Sequence, residues 1–267
     1  MVQTPVCRYD FHHMTTPETT SLYTDARLVA LYDALNPFAA DTAFYLNLAA
    51  TLPRAPIVDI GCGTGLLASE LARRGHAVTG IDPAHAMLEV ARQRAGGAQV
   101  RWIEGDASAA TPSGAGLALM TGHVAQVFVN DASWRATLIA IRRALCPGGW
   151  LAFESRNPQA QPWEQWTPER SRRTVDHPVV GPTDVWQRLI EVRSDGVGPR
   201  VRFDTHYRFA LMEDEVVVPS KLRFRTKEEL AATLDEAGFN VTQWYGDWSG
   251  APLSADAPEL IVVATRS

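Results

Sequence analysis

The chain is poor in cysteine. Its 267 residues include only three, Cys7, Cys62 and Cys146, an odd number spread far apart. This pattern fits neither a disulfide framework nor the ligand spacing of a zinc site. We therefore expect a protein of a reducing compartment, the cytoplasm, without a bound metal.

Long apolar runs and long runs of positive charge are also absent. No stretch of about 18 apolar residues occurs, which argues against a membrane partner. The net charge is −5 and no long Lys/Arg run is present, so charge gives no support for a nucleic-acid partner. With 46% hydrophobic and 21% charged residues, the chain can bury a full globular core.

The amino-terminal segment lacks the apolar stretch of a signal peptide. We expect residues 1–21 to form a flexible leader, within which Met14 could be the natural start. Two amphipathic helices are predicted after it, Leu22 to Leu35 and Ala39 to Leu52, separated at Asn36-Pro37.

Strands and helices alternate from residue 57 onward. Apolar β-branched runs predict strands, and helical spacing of apolar residues separates them. Alternation of this kind predicts an α/β fold with a parallel sheet and right-handed crossovers. The expected strands are 57–60, 77–82, 99–103, 116–121, 149–155, 240–246 and 259–265, with helices at 65–74, 84–94, 131–145 and from Thr226 to Gly238. A Pro-Gly-Gly sequence, residues 147–149, is expected to separate the third of these helices from its following strand.

The alternation is interrupted by an insertion, residues 156–225. Its first part, 156–182, is rich in Pro, Trp and Arg and shows no long period. Three alternating stretches, 184–193, 201–211 and 215–224, then predict antiparallel strands. The chain thus divides into a leader, a first half at 22–155, the insertion, and a completing segment at 226–267.

The segment Asp59-Ile60-Gly61-Cys62-Gly63-Thr64-Gly65 joins the first predicted strand to its helix. It reads as a strand, a tight turn and a helix start, the opening unit of a nucleotide-binding sheet. A second acid, Asp82, ends the next strand about twenty residues on, where a ribose would be held. A dinucleotide fingerprint would have a third glycine in place of Leu66, and Asp59 would repel its pyrophosphate.

These residues resemble the glycine motif and following acid of the class I S-adenosylmethionine-dependent methyltransferases, of the bacterial small-molecule type. The resemblance implies a Rossmann-like seven-stranded sheet with helices on both faces, an N-terminal helical lid, and S-adenosylmethionine as cofactor. It implies that Asp106 binds the adenine amino group and that Met87 packs on the adenine, although Met87 could equally belong to the core. Gln126 could bond the ligand or cap the helix. The candidate cofactor-binding residues are Asp59, Gly61, Cys62, Gly63, Gly65, Asp82, Pro83, Met87, Asp106, Ala107, Thr121, Gly122, Gln126 and Tyr32.

Two histidines are candidates for a catalytic base. His123 lies just past the fourth predicted strand, at the expected mouth of the crevice, and could act as a base near neutral pH. Alternatively, His123 could line the cofactor site or hydrogen-bond a backbone carbonyl without acting as a base. His206 competes for this role if its face of the inserted strand points at the crevice.

The insertion concentrates aromatic and arginine side chains, as binding pockets do. Strand alternation puts Phe203, Thr205, Tyr207 and Phe209 on one face, with Arg202, Asp204, His206 and Arg208 on the other. One interpretation is that the inserted strands form a cap over the substrate and that Arg156 contacts an anionic or carbonyl group of the acceptor. The other is that the aromatic face of these strands packs on the parent domain or on a second subunit. The candidate substrate-binding residues are Arg156, Tyr207, Trp163 and Tyr45.

The function we expect is methyl transfer to an O or N atom of a small molecule. The Asp-Pro-Pro-Tyr and Asn-Pro-Pro-Tyr motifs of nucleobase methylation are absent after the fourth strand, and so are the paired glutamates of arginine methylation. An S-adenosylmethionine-binding sensor or an inactive partner subunit is the alternative, and a dinucleotide oxidoreductase comes third. A homodimer is left open.

Overall fold

The computed structural model describes residues 20–52, 54–111, 114–194, 196 and 198–267. The strands in this part of the chain are β1 (Ile57–Ile60), β2 (Val78–Asp82), β3 (Val100–Glu104), β4 (Ala115–Met120), β5 (Leu145–Arg156), β6 (Arg173–Val175), β7 (Thr183–Arg193), β8 (Arg200–Phe209), β9 (Asp214–Arg223), β10 (Phe239–Tyr245) and β11 (Glu259–Arg266). The helices are α1 (Thr20–Thr24), α2 (Ala26–Leu35), α3 (Ala40–Thr51), α4 (Leu66–Arg73), α5 (His85–Gln93), α6 (Val124–Val127), α7 (Asp131–Ala144), α8 (Pro168–Ser171) and α9 (Lys227–Glu236). None of these helices is long and apolar enough to cross a membrane.

Seven of the described strands form the main sheet, in the order β3-β2-β1-β4-β5-β11-β10. Strands β1 to β5 pair in parallel, whereas β11 is antiparallel to both of its neighbours. The predicted Rossmann-like seven-stranded sheet is confirmed. Its strand order reverses between β1 and β4, and ligands bind beside the carboxyl ends of strands at such a reversal.

Each face of the main sheet carries its own apolar core, because successive strand residues point to opposite faces. Val58 and Ile60 of β1 face one core, which contains the buried side of α7 and α9. Ile57, one residue earlier, faces the other core, where α3 and α4 pack. The helices therefore cover both faces and leave the carboxyl edge of the strands free for a site.

The second sheet is antiparallel, with four described strands in the order β6-β7-β8-β9. Phe203, Tyr207 and Phe209 are buried on one of its faces, as the alternation predicts. Tyr207 and Phe209 pack with Leu28 and Leu31 of α2, and Phe203 packs in a separate cluster with Trp163 and Trp166. The aromatic face thus packs on other parts of the same chain.

The structure corrects the sequence predictions at three places. The helix expected from Leu22 to Leu35 is broken at Asp25, whose carboxylate accepts from the Arg27 amide and caps α2. Strand β6 was not predicted, because three residues at a sheet edge are too few to show alternation. The Pro-Gly-Gly sequence lies inside β5, where the pairing with β4 shifts register.

The expected leader falls mostly outside the described residues, since the structure describes the chain from Thr20 onward. Helix α1 begins there, so residues 20 and 21 of the expected leader belong to a helix.

Trp134 in α7 is the side chain whose truncation we expect to destabilise the main sheet most. It is fully buried, its indole N–H donates to Thr233 at 3.0 Å, and its ring meets Phe153 edge-on at 5.6 Å. Truncating a buried Trp leaves a cavity, so Trp134→Ala should lower the free energy of unfolding by about 3–5 kcal/mol. Urea denaturation measures this loss.

Ile139→Ala is the matched control on the same helix, because Ile139 is 45% exposed. It should change the free energy of unfolding by less than about 0.5 kcal/mol. Equal losses in the two variants would contradict the assignment of Trp134 to the core.

Candidate active site

A crevice opens at the carboxyl ends of β1 and β4, where the strand order reverses. Its volume is about 350 Å³, within the range of small-molecule sites. Three segments and one aromatic side chain form its walls: the α2–α3 connection, the glycine loop after β1, the turn after β4, and Trp248. The lining residues are Tyr32, Leu35, Asn36, Pro37, Ala39, Ala40, Asp41, Thr42, Asp59, Gly61, Cys62, Gly63, Thr64, Leu66, Leu67, Thr121, Gly122 and Trp248.

The three glycines of the loop have positive φ angles of 72°, 53° and 74°, which side chains seldom adopt. Their surroundings differ. A Cβ on Gly61 would lie 2.7 Å from Val124, and one on Gly65 would lie 2.4 Å from Trp102, so packing excludes both. A Cβ on Gly63 would lie 3.8 Å from the Tyr32 ring and would fill the cradle between Tyr32 and Met87. Gly63 is therefore the position where the backbone can approach a ligand.

Asp59 is a buried carboxylate at the end of β1 with an unused acceptor. It is 1% exposed, and no described residue forms a hydrogen bond with its Oδ1. Burial, followed by the charges of Asp82 and Glu154, raises the pKa of Asp59 to about 7. An unpaired buried carboxylate is costly, and the cost disappears when a cation binds beside it. Asp59 therefore fits a ligand that carries an ammonium group.

Asp82, the predicted ribose acid, also holds the glycine loop. Its Oδ2 accepts from the Gly63 amide and its Oδ1 from the Ala84 amide, both at 2.8 Å. Burial raises the pKa of Asp82, and the two backbone hydrogen bonds oppose this shift. Tyr23 lies close enough that its pKa rises to about 12, through burial and then the Asp82 charge. The carboxylate thus fixes the shape of the loop beside the crevice.

Helix α2 is tied to the glycine loop by a polar latch formed by Asp33, Thr64 and Arg94. The Thr64 hydroxyl donates to Asp33 at 2.6 Å, and the Arg94 guanidinium pairs with the same carboxylate. Arg94 also donates from Nε to the Thr64 carbonyl at 3.0 Å. This latch holds the α2–α3 connection as a wall of the crevice.

Beyond β4 lies a group of four polar side chains, Tyr45, His123, Glu154 and Glu259, which we call the carboxylate–histidine cluster. His123 has a left-handed backbone, φ 61°, and its amide donates to Glu154 at 2.5 Å. The Tyr45 hydroxyl donates to the other oxygen of Glu154. His123 Nε2 lies 3.0 and 3.1 Å from the two carboxylate oxygens of Glu259. Burial is the main cause that raises the pKa of Glu154 and the pKa of Tyr45.

The crevice brings together about half of the cofactor-binding residues that the sequence indicated. Tyr32, Asp59, Gly61, Cys62, Gly63, Thr121 and Gly122 line it. Met87 is buried near Gly63, and Pro83 is exposed directly after Asp82. Asp106 caps the short turn 107–109 by accepting from the Ser108 amide, and Ala107 is buried in the core.

The side chains of Gln126, Arg156 and Tyr45 form hydrogen bonds with other side chains of the protein. Gln126 is fully buried and accepts from Arg156 at 2.9 Å, so Arg156 bonds a side chain of its own chain instead of an open pocket. Burial lowers the pKa of Arg156, opposed by the charges of Glu259 and Glu154. Tyr45 is 1% exposed and its hydroxyl is committed to Glu154, which makes it part of the site's support.

The insertion contributes none of the described residues that line the crevice. His206 lies on the face opposite Tyr207, stacked on Trp186 at 4.9 Å, with Nδ1 2.8 Å from Glu215. Its partners are on that outer face, so the condition for His206 to act as a base is not met. Trp163 is buried edge-on against Phe224, and Tyr207 packs against α2. The structure does not bring these three side chains to the crevice.

Four site residues escaped the sequence reasoning: Asp33, Glu154, Trp248 and Glu259. Glu154 had a usable signal, since it is a lone acid inside an otherwise apolar strand, and such buried charges are rare unless they are paired. Asp33, Trp248 and Glu259 lie far along the chain from the residues they meet. No local pattern marks them.

A family profile described as "Methyltransferase domain" matches residues 57–149, which span β1 to the early part of β5. An uncharacterised methyltransferase of Mycobacterium bovis is 35% identical over 96 residues, which cover 36% of this chain and 48% of that protein. A ubiquinone biosynthesis O-methyltransferase of Paracidovorax citrulli is 35% identical over 109 residues, 39% of this chain and 45% of that protein. The matched segments thus span about half the length of these relatives.

Solved structures resemble this chain over almost its whole length. The CcbJ methyltransferase from Streptomyces caelestis superposes with a TM-score of 0.70 at 17% identity, over 94% of this chain and all of that one. CalS10 from Micromonospora echinaspora, an amino pentose methyltransferase with S-adenosylmethionine bound, gives a TM-score of 0.62 at 25% identity, over 89% and 95% of the two chains.

The sheet order, the glycine loop and the acids at the ends of β1 and β2 define a methyltransferase fold of the Rossmann-like class. Residues 57–149 match the methyltransferase domain profile. Over almost the whole chain, the fold is that of S-adenosylmethionine-dependent methyltransferases of known structure. S-adenosylmethionine is the cofactor of those proteins.

The raised pKa of Asp59 predicts that ligand binding depends on pH. In the free protein Asp59 is mostly protonated below about pH 7, and an ammonium group needs the ionised form. Affinity for S-adenosylhomocysteine, which carries that ammonium, should therefore rise about tenfold from about pH 6 to about pH 8, with release of a proton. Calorimetry in two buffers of different ionisation enthalpy measures both quantities.

Asp59→Asn is the control, since it cannot titrate. Its affinity should be lower and flat across the same range. A wild-type affinity that does not change with pH would show that Asp59 does not hold the ammonium.

Proposed function

We propose that this protein transfers the methyl group of S-adenosylmethionine to an oxygen or nitrogen atom of a small molecule. The observation that carries the proposal is the buried Asp59 oxygen beside the glycine loop, which has no hydrogen-bond partner in the part of the chain that the structure describes. A carboxylate at this point repels a pyrophosphate and attracts a cation. Among nucleotide-like ligands, this selects one with an ammonium and a sulfonium group.

The chain offers a partner for each part of that ligand. Asp59 would bind the ammonium group of the ligand. The backbone amide of Gly63 would lie along the main chain of the ligand. Asp82 would accept from the ribose hydroxyls, with Met87 and Tyr32 against the adenosine. When bound, the cofactor supplies an electrophilic methyl group on a sulfonium. The protein's own task is to align the acceptor with that group and to exclude competing water.

On the acceptor side we place His123 as the base. It directly follows Gly122, which lines the crevice, and its side chain is 20% exposed. Proton transfer to a positioned imidazole accelerates reactions by about 10²–10⁴-fold.

The names of two similar proteins support a small acceptor, but they do not agree on which of its atoms is the nucleophile. The relative from Paracidovorax citrulli is named an O-methyltransferase of ubiquinone biosynthesis, and CalS10 is described as an amino pentose methyltransferase. One name points to oxygen and the other to an amino sugar. The acceptor of this chain is therefore proposed as an alcohol, a phenol or an amine.

Asp82→Ala tests the cofactor assignment. The variant loses charge-assisted hydrogen bonds worth about 1.5–3 kcal/mol each, and it also frees the Gly63 amide. Affinity for S-adenosylmethionine should fall at least about tenfold by calorimetry, while far-UV circular dichroism stays that of the wild type.

Glu104→Ala is its matched control, because Glu104 ends the neighbouring strand in register with Asp82 but pairs with the exposed His85. It should bind the cofactor like the wild type. Tight binding of NAD by the wild type, with no binding of S-adenosylmethionine, would refute the assignment.

His123→Asn tests turnover. Once a screen of small alcohols, phenols and amines with labelled methyl donor yields an acceptor, the variant should lower kcat by about 10²–10⁴-fold with nearly unchanged cofactor affinity. A loss below about threefold at neutral pH would mean that the acceptor needs no base from His123. Cofactor binding without transfer to any acceptor would favour the sensor alternative.

A further inference from the structure

We infer that Glu259 is a positioning residue that selects the tautomer of His123, so that Nδ1 is the atom that takes the acceptor's proton. This inference deepens the proposed function and rests on it.

The hydrogen bond between Glu259 and His123 determines where the ring proton lies. Both carboxylate oxygens lie within 3.1 Å of Nε2, and an ionised carboxylate only accepts hydrogen bonds. Nε2 must therefore carry the hydrogen. In the neutral ring the lone pair is then on Nδ1, for which the described residues provide no hydrogen-bond partner.

Both ends of this arrangement are held by the main sheet. Glu259 is the first residue of β11 and lies opposite Arg156 in the antiparallel pairing with β5. On the other side, the His123 amide is bound to Glu154, which the Tyr45 hydroxyl also holds. The side chains of His123 and Glu259 are 20% and 12% exposed, so the ring is mostly screened from solvent yet reachable. A base held in this way needs little reorganisation when it takes a proton.

The proposed proton path begins at the acceptor. With S-adenosylmethionine bound, a lone pair of the acceptor atom would form the new bond to the methyl carbon as the carbon–sulfur bond breaks, and the electrons of the broken bond would stay on sulfur. The acceptor's proton moves to His123 Nδ1. The resulting imidazolium is stabilised by the negative charge of Glu259 and later releases its proton to water, which restores the neutral ring.

A second histidine–glutamate pair in the same chain provides a matched control. His206 bonds Glu215 through Nδ1 at 2.8 Å, on the outer face of the second sheet. The ring there is oriented in the opposite sense, with the hydrogen expected on Nδ1. The two histidines should therefore show opposite tautomers in one spectrum.

The experiment is long-range ¹H–¹⁵N NMR of the full chain, labelled with ¹⁵N-histidine and saturated with S-adenosylhomocysteine. His123→Asn and His206→Asn assign the two rings by loss of their signals. At a pH where the rings are neutral, His123 should show a protonated Nε2 and an unprotonated Nδ1, and His206 the reverse. Glu259→Leu should convert His123 to a mixture of tautomers, whereas Glu215→Leu should leave His123 unchanged and alter only His206.

A protonated Nδ1 on wild-type His123, or a tautomer unchanged in Glu259→Leu, would overturn the inference. The wild-type spectrum alone decides the question should that variant not fold. Saturation with S-adenosylhomocysteine is measured on the same sample, so failure to bind it would count against the proposed function and not against the tautomer.

A kinetic measurement extends the test to the reaction. With an acceptor in hand, Glu259→Gln should lower kcat at least about tenfold with unchanged cofactor affinity, and Glu259→Asp should recover part of the loss. A change confined to KM would indicate that Glu259 only shapes the pocket.

Discussion

Buried negative charge at the carboxyl edge of the main sheet is the constraint on which the rest of the site depends. Asp59, Asp82 and Glu154 come from three strands of one sheet and are all less than 10% exposed. Asp82 is compensated by backbone amides, and Glu154 by the Tyr45 hydroxyl and the His123 amide. Asp59 keeps an oxygen that forms no hydrogen bond with any of the described residues. The free protein therefore carries an electrostatic cost that a cationic ligand removes, and this makes the crevice selective before any acceptor arrives.

The main sheet could be predicted because its signals are local. Each parallel strand is a short apolar run next to a periodic helix, and the strand bounds agree within a few residues for β1 to β4. The glycine motif also acts locally, since the positive φ of Gly61, Gly63 and Gly65 belongs to one turn. The ends of helices and the short β6 were less predictable, because capping at Asp25 and pairing at a sheet edge depend on contacts that no periodicity encodes.

The site was only partly predictable, for a physical reason. The turn before His123 could be placed at the crevice because it follows a parallel strand. The partner of His123, Glu259, comes from the antiparallel β11, 136 residues away. Likewise, alternation in β8 correctly separates Tyr207 from His206, yet it does not say what covers each face. Tyr207 is covered by α2, which lies near the other end of the chain. Such contacts are fixed by tertiary packing, and a single sequence carries no local trace of them.

Helix α2 belongs to two parts of the molecule at once. Its Asp33 forms the latch on the glycine loop, while Leu28 and Leu31 pack beneath Tyr207 of the second sheet. Any opening of the crevice that moves α2 must also disturb the packing of that sheet. The cofactor site and the second sheet are then thermodynamically linked through one rigid element. If a molecule bound to the second sheet and displaced α2, it would change the affinity for the cofactor, and the cofactor would change the affinity for that molecule by the same factor.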